Sequence, residues 1–168
     1  LNATKTACGA RKLKQWIKSP LLNTVKINDR LDAVESLNND ILSREEIREC
    51  LNQTYDLERL VSRTVSDHHN PRDLIALKNT LLALNEFPSI LSHLSGSVLE
   101  AFSSFFNTYN DPKSTYQTII NLIETAIVAD PPNTISQGNI IKESFNKELD
   151  DLLASFKSIK DWIQTLEQ

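Results

Sequence analysis

A chain of 168 residues with 40% apolar side chains suits one domain, or two small packed lobes, around a real core. Three glycines are too few for a protein of many hairpins or for a Gly-rich phosphate loop. A net charge of −4 and a pI near 5.4 give no overall attraction to DNA, so any nucleic-acid contact must be local.

Helical periodicity dominates the chain. The spacing predicts a first helix from about Thr6 to Lys18, with Ala10, Leu13, Trp16 and Ile17 on one stripe, ended by Ser19-Pro20 because a residue before proline disfavours helical geometry. A second helix, about Thr24 to Asn38, is expected to bury Ile27, Leu31, Val34 and Leu37. Ser43-Arg44-Glu45-Glu46 reads as a capping box opening a helix that buries Ile47, Cys50 and Leu51. Asp56 is expected to cap a short helix with Leu57, Leu60, Val61 and Val65 inward. Asn70 caps the next, with Pro71 at its first position, where the missing amide hydrogen costs nothing. Leu74, Leu77, Leu81 and Leu84 form its stripe to about Asn85, and a short helix around Ser89–Leu94 follows Pro88.

Ser97-Val98-Leu99-Glu100 repeats the capping-box pattern before an aromatic face of Phe102, Phe105, Phe106 and Tyr109. That face reads as core packing, since a base-stacking platform needs interleaved Lys or Arg. Asp111-Pro112 is expected to open a helix burying Tyr116, Ile119, Ile120, Ile123 and Ile127. From Asp130-Pro131-Pro132 to Gly138-Asn139 the chain is irregular, and Ile140-Ile141 reads as a short strand-like return. Asn146 caps a last helix in which Leu149, Leu152, Phe156, Ile159, Ile163 and Leu166 recur at steps of three and four. This is a heptad seam, the pattern of a helix lying along another helix. The expected fold is all-α: a multihelical lobe over 1–130, a Pro-containing extended connection over 131–145, and the start of a long coiled-coil-like helix over 146–168.

No catalytic constellation is evident. His68-His69 are adjacent and diverge, His93 is isolated, and the cysteines Cys8 and Cys50 are distant, so a zinc site is not expected. Two cysteines make no disulfide framework and read as thiols in a reducing compartment. No signal-peptide layout occurs, and no run approaches the ~18 apolar residues of a membrane span. Lys5, Arg11, Lys12, Lys14 and Lys18 are weak candidates for DNA phosphate contact, against a solvated face with one internal ion pair. Arg59, Arg63 and Arg72 are expected to pair with carboxylates such as Asp32, Glu35 or Asp73 rather than with DNA. The chain has no methionine, even at position 1, which sets the expectation of a piece of a larger protein.

Several phrases carry a resemblance. Thr4-Lys5-Thr6-Ala7-Cys8-Gly9-Ala10-Arg11 leads to Leu13, Trp16, Pro20 and Leu21. Arg30-Leu31-Asp32-Ala33-Val34-Glu35 follows, then Asp56-Leu57-Glu58-Arg59-Leu60 and Asn70-Pro71-Arg72-Asp73-Leu74. Late in the chain come Asp130-Pro131-Pro132, Gly138, Ile141 and Glu148-Leu149-Asp150. In this order and register they resemble, over the whole length, the core and lever region of the bacterial MutS mismatch-repair proteins, between the connector and the DNA-gripping clamp. Cys8 stands where the family usually has methionine, Asn139 where it has the second glycine of a pair, and Ser144-Phe145 where it has Gly-Tyr. The last two departures bear on turn geometry, because glycine accepts positive φ and these residues do so poorly.

The resemblance implies a mechanical module that couples an ATPase to a clamp on mispaired DNA. It implies that the whole protein is a cytoplasmic DNA-dependent ATPase using ATP and Mg, binding mismatched duplex and MutL, and dimerising through its ATPase domain. For this piece it implies no catalysis, no cofactor, no membrane and a monomer. No G-x-x-x-x-G-K-[ST] pattern occurs in it. The alternative is a freestanding helical scaffold that binds a partner helix through the seam.

Overall fold

The computed structural model describes residues 2–66, 70–109, 111 and 114–166, without the side chains of 108, 109, 160, 161, 164 and 166. Among the described residues nine α-helices follow one another: α1 Ala7–Lys18, α2 Thr24–Asn39, α3 Ile41–Asn52, α4 Leu57–Val65, α5 Pro71–Leu84, α6 Phe87–Leu91, α7 Ser97–Tyr109, α8 Thr115–Ala126 and α9 Lys147–Leu166. A 3-10 turn occupies Ile135–Gln137. The fold is all-α; the one β pairing among the described residues is an antiparallel bridge between Ile127 and Ile141. No described helix is long and apolar enough to cross a membrane.

Side-chain caps explain most helix starts. Thr6, Asn23, Asn70 and Asn146 each accept an amide hydrogen from the first turn they precede. Elsewhere the chain departs from the spacing. Ser43 is no cap: α3 opens at Ile41, and Asp40 accepts both the Ser43 amide at 3.0 Å and its hydroxyl at 2.8 Å. These two bonds hold the Asp40 carboxyl below its usual range. Asp56 precedes α4 but makes no side-chain capping bond. Ser97 is already helical, and its hydroxyl donates to Asp29. Ser114 rather than Asp111 caps α8, and Pro112 lies outside the described residues, as do His68 and His69. Helix α6 begins at Phe87, two residues before Ser89, with Pro88 in its first turn.

Two buried clusters make the core. The first joins α4, α5 and α8 through Leu60, Leu77, Leu81, Ile120, Ile123 and Ile127. The second joins α2, α6 and α7 through Ala33, Phe87, Leu91, Leu94 and Leu99. Leu84 and Phe106 pack against both. The Phe106 ring stacks on Phe87 with centroids 5.3 Å apart. Thr80 is a buried polar pin: its hydroxyl donates to the Ala76 carbonyl at 2.8 Å and accepts the Tyr55 amide at 3.1 Å.

Several expected core faces are turned outward. In α2, Leu31 and Val34 are exposed, and Ala33 is the buried residue. A small side chain is needed there because Gly96, at φ +129°, comes so close that a Cβ would lie 3.9 Å from the Ala33 backbone. Val61 and Val65 of α4 are exposed because this short helix packs mainly on α5, which covers only the Leu57–Leu60 side. Phe102, Phe105 and Tyr116 are also substantially exposed; α7 meets its neighbours α2 and α6 on the side that carries Leu99 and Phe106. The side chain of Tyr109 lies outside the described residues.

The connection from α8 to α9 is held by polar contacts. The Val128 amide donates to the Ile140 carbonyl at 2.9 Å and the Lys142 amide to the Ala126 carbonyl at 2.8 Å. Asn139 and Ser144 both have positive φ, at 53° and 68°. The Ser144 amide donates to the Asp150 carboxylate at 2.9 Å, which fastens the first turn of α9 to the chain that leads into it. Beyond Asp150 every described side chain of α9 is exposed.

Candidate functional site

The residues singled out in the sequence meet along one charged seam, where α1 faces the starts of α4 and α5. The local structure sets the geometry. The Thr6 oxygen accepts the Gly9 amide at 3.0 Å, and a Cβ on residue 9 would stand 3.0 Å from that same oxygen, so a glycine leaves the cap intact. One turn of helix then puts Cys8 and Arg11 on the same side.

Arg11 forks onto Asp56. Nη1 donates to Oδ2 and Nη2 to Oδ1, both at 2.8 Å, the bidentate geometry that suits a guanidinium and a carboxylate. Nη2 also donates to Glu58 and, at 3.2 Å, to the Cys8 sulfur. The Cys8 thiol donates in turn to Asp56 Oδ1 at 3.4 Å. Arg59 lies 3.4 Å from Asp56 on its other side. Asp56 is largely buried, with 15% of its side chain exposed, so a shared cation offsets the cost of keeping it charged. Arg11 holds the Asp56 carboxyl well below the usual carboxylate range, and Asp56 raises the Arg11 guanidinium in return. Burial, then the bond to Asp56, pushes the Cys8 thiol up, so it stays protonated. Burial also raises Cys50, and neither cysteine is in a disulfide.

The seam continues into α5 and the connection. Arg63 pairs with Asp73 at 2.9 Å, and Asp73 is buried. Arg72 donates to the Pro131 carbonyl at 2.9 Å and to Asp130 at 3.3 Å. Pro131 is fully buried and Pro132 half-buried. The expected partners Asp32 and Glu35 make no ion pair among the described residues. Arg30 instead lies over the Trp16 ring, 3.8 Å from its centroid, a cation–π contact that ties the far end of α1 to α2.

The remaining sequence candidates lie apart from this seam. Thr4 bonds only locally, to Asn2. Gly138 closes the 3-10 turn at φ +70°. Lys5, Lys12 and Lys14 are exposed on α1 and its approach, and Lys12 donates to Gln15. In α9, Leu149 is half-buried, while Leu152, Phe156, Ile159 and Ile163 are exposed; the Leu166 side chain lies outside the described residues.

Two contacts escaped the sequence. Cys8 joins the charge network, a role only its i,i+3 spacing to Arg11 hints at. The Trp16–Arg30 contact has no sequence signal at all. Cys8, Asp56 and Glu58 also bring ligand-type atoms within 4.8 Å of one another, but the Arg11 guanidinium bonds to all three and supplies the positive charge a metal would bring. Nor do these residues fit ATP with Mg: the three glycines lie on separate elements and build no phosphate cradle.

The arrangement therefore positions helices and carries out no bond chemistry. Comparison with known proteins agrees. The family described as MutS domain III matches residues 1–168. The chain is 41% identical over 167 residues to a DNA mismatch repair protein MutS of Desulforamulus reducens, covering 99% of this chain and 18% of that protein. It is 39% identical over 168 residues to the protein of the same name from Alkaliphilus oremlandii, covering 100% and 18%. For that of Staphylococcus haemolyticus the figures are 37% over 167 residues, 99% and 18%. The chain thus spans about a fifth of the length of these relatives, and by this match it belongs to the MutS domain III family.

Proposed function

We propose that this chain is the core and the beginning of the lever in a mismatch-repair ATPase. It would transmit the state of a nucleotide-binding domain to a clamp that grips mispaired DNA. The observation that carries this reading is α9. Its apolar seam runs uncovered for roughly 30 Å, at about 1.5 Å per residue, from a base fastened by the Ser144–Asp150 bond. A stiff rod with a polar latch at its root and a sticky edge suits a part that moves as a unit against another helix. The charged seam supports the same reading, because it fixes α1 to the rest by oriented bonds. The names of the relatives supply the process, mismatch repair. ATP hydrolysis, Mg, mismatched duplex, MutL and a dimer formed by an ATPase domain belong to the proposed whole protein, in the cytoplasm, with this chain alone a monomer.

The same uncovered seam favours a second reading, a scaffold that binds a helix of another protein. The coding sequence on both sides separates them. The lever reading expects a mismatch-reading domain with a Phe-x-Glu motif upstream and a Walker A motif downstream; a start and a stop codon flanking residues 1–168 would establish the scaffold instead. In the longer polypeptide, Leu152→Asp or Phe156→Asp is expected to uncouple ATP binding from DNA release in a stopped-flow assay. Unchanged coupling would refute the mechanical role.

A further inference from the structure

All the fastenings of α1 use one side of it. Cys8 and Arg11 face Asp56, and Trp16 lies beneath Arg30. At about 100° per residue the side opposite Cys8 carries Ala10, Leu13 and Ile17. The two charged contacts thus fix the rotation of the helix and keep this ridge turned outward. No residue of α1 is buried, and Ile17 is 62% exposed. The ridge lines an open hollow of about 480 Å³ together with Asn2, Lys14 and Lys18. Arg11 also borders it, but its guanidinium is spent on Asp56 and Glu58. Lys14 and Lys18 make no ion pair among the described residues, and no acidic side chain lines the hollow.

We propose that this face of α1 is a docking site for an amphipathic helix whose apolar stripe is bordered by Asp or Glu. The ridge covers two turns, which matches the i, i+3, i+7 stripe of a short partner helix. The lysines lie along one flank of the ridge, where acidic residues of the partner would pair with them at the rim and fix its orientation. A second copy of this chain is excluded as occupant by the same lysines, which would face one another.

The test uses the 168-residue chain carrying Trp162→Phe, which leaves Trp16 as the sole fluorophore. It is titrated with a 14-residue amphipathic helical peptide bearing glutamates beside a leucine stripe, and with the same peptide bearing lysines. Saturable binding of the glutamate peptide, at least tenfold tighter than the lysine peptide, is expected. Lys14→Glu with Lys18→Glu should reverse that preference, and Ile17→Asp should weaken both, with far-UV circular dichroism unchanged in each variant. Equal responses to the two peptides, or none, would overturn the proposal. So would tighter binding to phosphatidylserine vesicles or to duplex DNA than to the glutamate peptide.

Discussion

Helices α5 and α9 are both amphipathic and both leucine-rich, yet they stand in opposite circumstances. The α5 stripe is enclosed: Leu77 and Leu81 are buried against α4 and α8, and Thr80 is bonded at both its lone pair and its proton. The α9 stripe is bare from Leu152 onward. The difference teaches where each property of the chain resides. Hydrophobic burial, worth roughly 25 cal/mol per Å² of apolar surface, is concentrated in the middle helices. The two ends are positioned by directed polar contacts, which hold an angle well and contribute modest stability.

That contrast can be broken or sharpened by substitution. The largest effect belongs to the enclosed region: Ile120→Ala should cost about 2–5 kcal/mol in chemical denaturation, through lost contacts and a cavity. Next, Thr80→Val should cost about 1–3 kcal/mol, because the Tyr55 amide loses its acceptor while the shape is nearly kept. Ser144→Gly should stabilise, by up to about 1 kcal/mol in thermal melts, by relieving a side chain held at φ +68°. Leu152→Asp should leave the stability of the chain within about 0.5 kcal/mol, since the site is exposed. A loss like that at Ile120 would show that α9 is covered after all.

Acid separates the regions differently. The folded Asp56 carboxyl is depressed, chiefly by Arg11, so its contribution is complete above the unfolded value of about 3.9. It is lost as pH falls below that value toward the folded one. Amide protection in α1, corrected for intrinsic exchange, should therefore decline below about pH 4 before that in α5. With Asp56→Asn the early decline in α1 should vanish.

Much of this was legible in the chain. Caps at Thr6, Asn70 and Asn146, and the periodicity behind them, mark real helix starts. What failed was the choice of face. In α2 the large residues Leu31 and Val34 suggested a core stripe, but the neighbour approaches so closely at Gly96 that only Ala33 fits. Periodicity finds an apolar face; it does not reveal which neighbour is near enough to cover it. Asp40 outcompeted Ser43 because a carboxylate accepts amide and hydroxyl together. In the candidate site, Arg63–Asp73 was among the pairings open to sequence reasoning, since both flank one short turn. The Arg11–Asp56 fork joins residues 45 apart and needed the fold.

The bond between the Ser144 amide and the Asp150 carboxylate sits at the root of a rod about 30 Å long. Swinging such a rod by about 1° at its base moves its far tip by about 0.5 Å. The aim of α9 is thus geared to one donor–acceptor pair, and a change too small to register in overall stability would be magnified along its length.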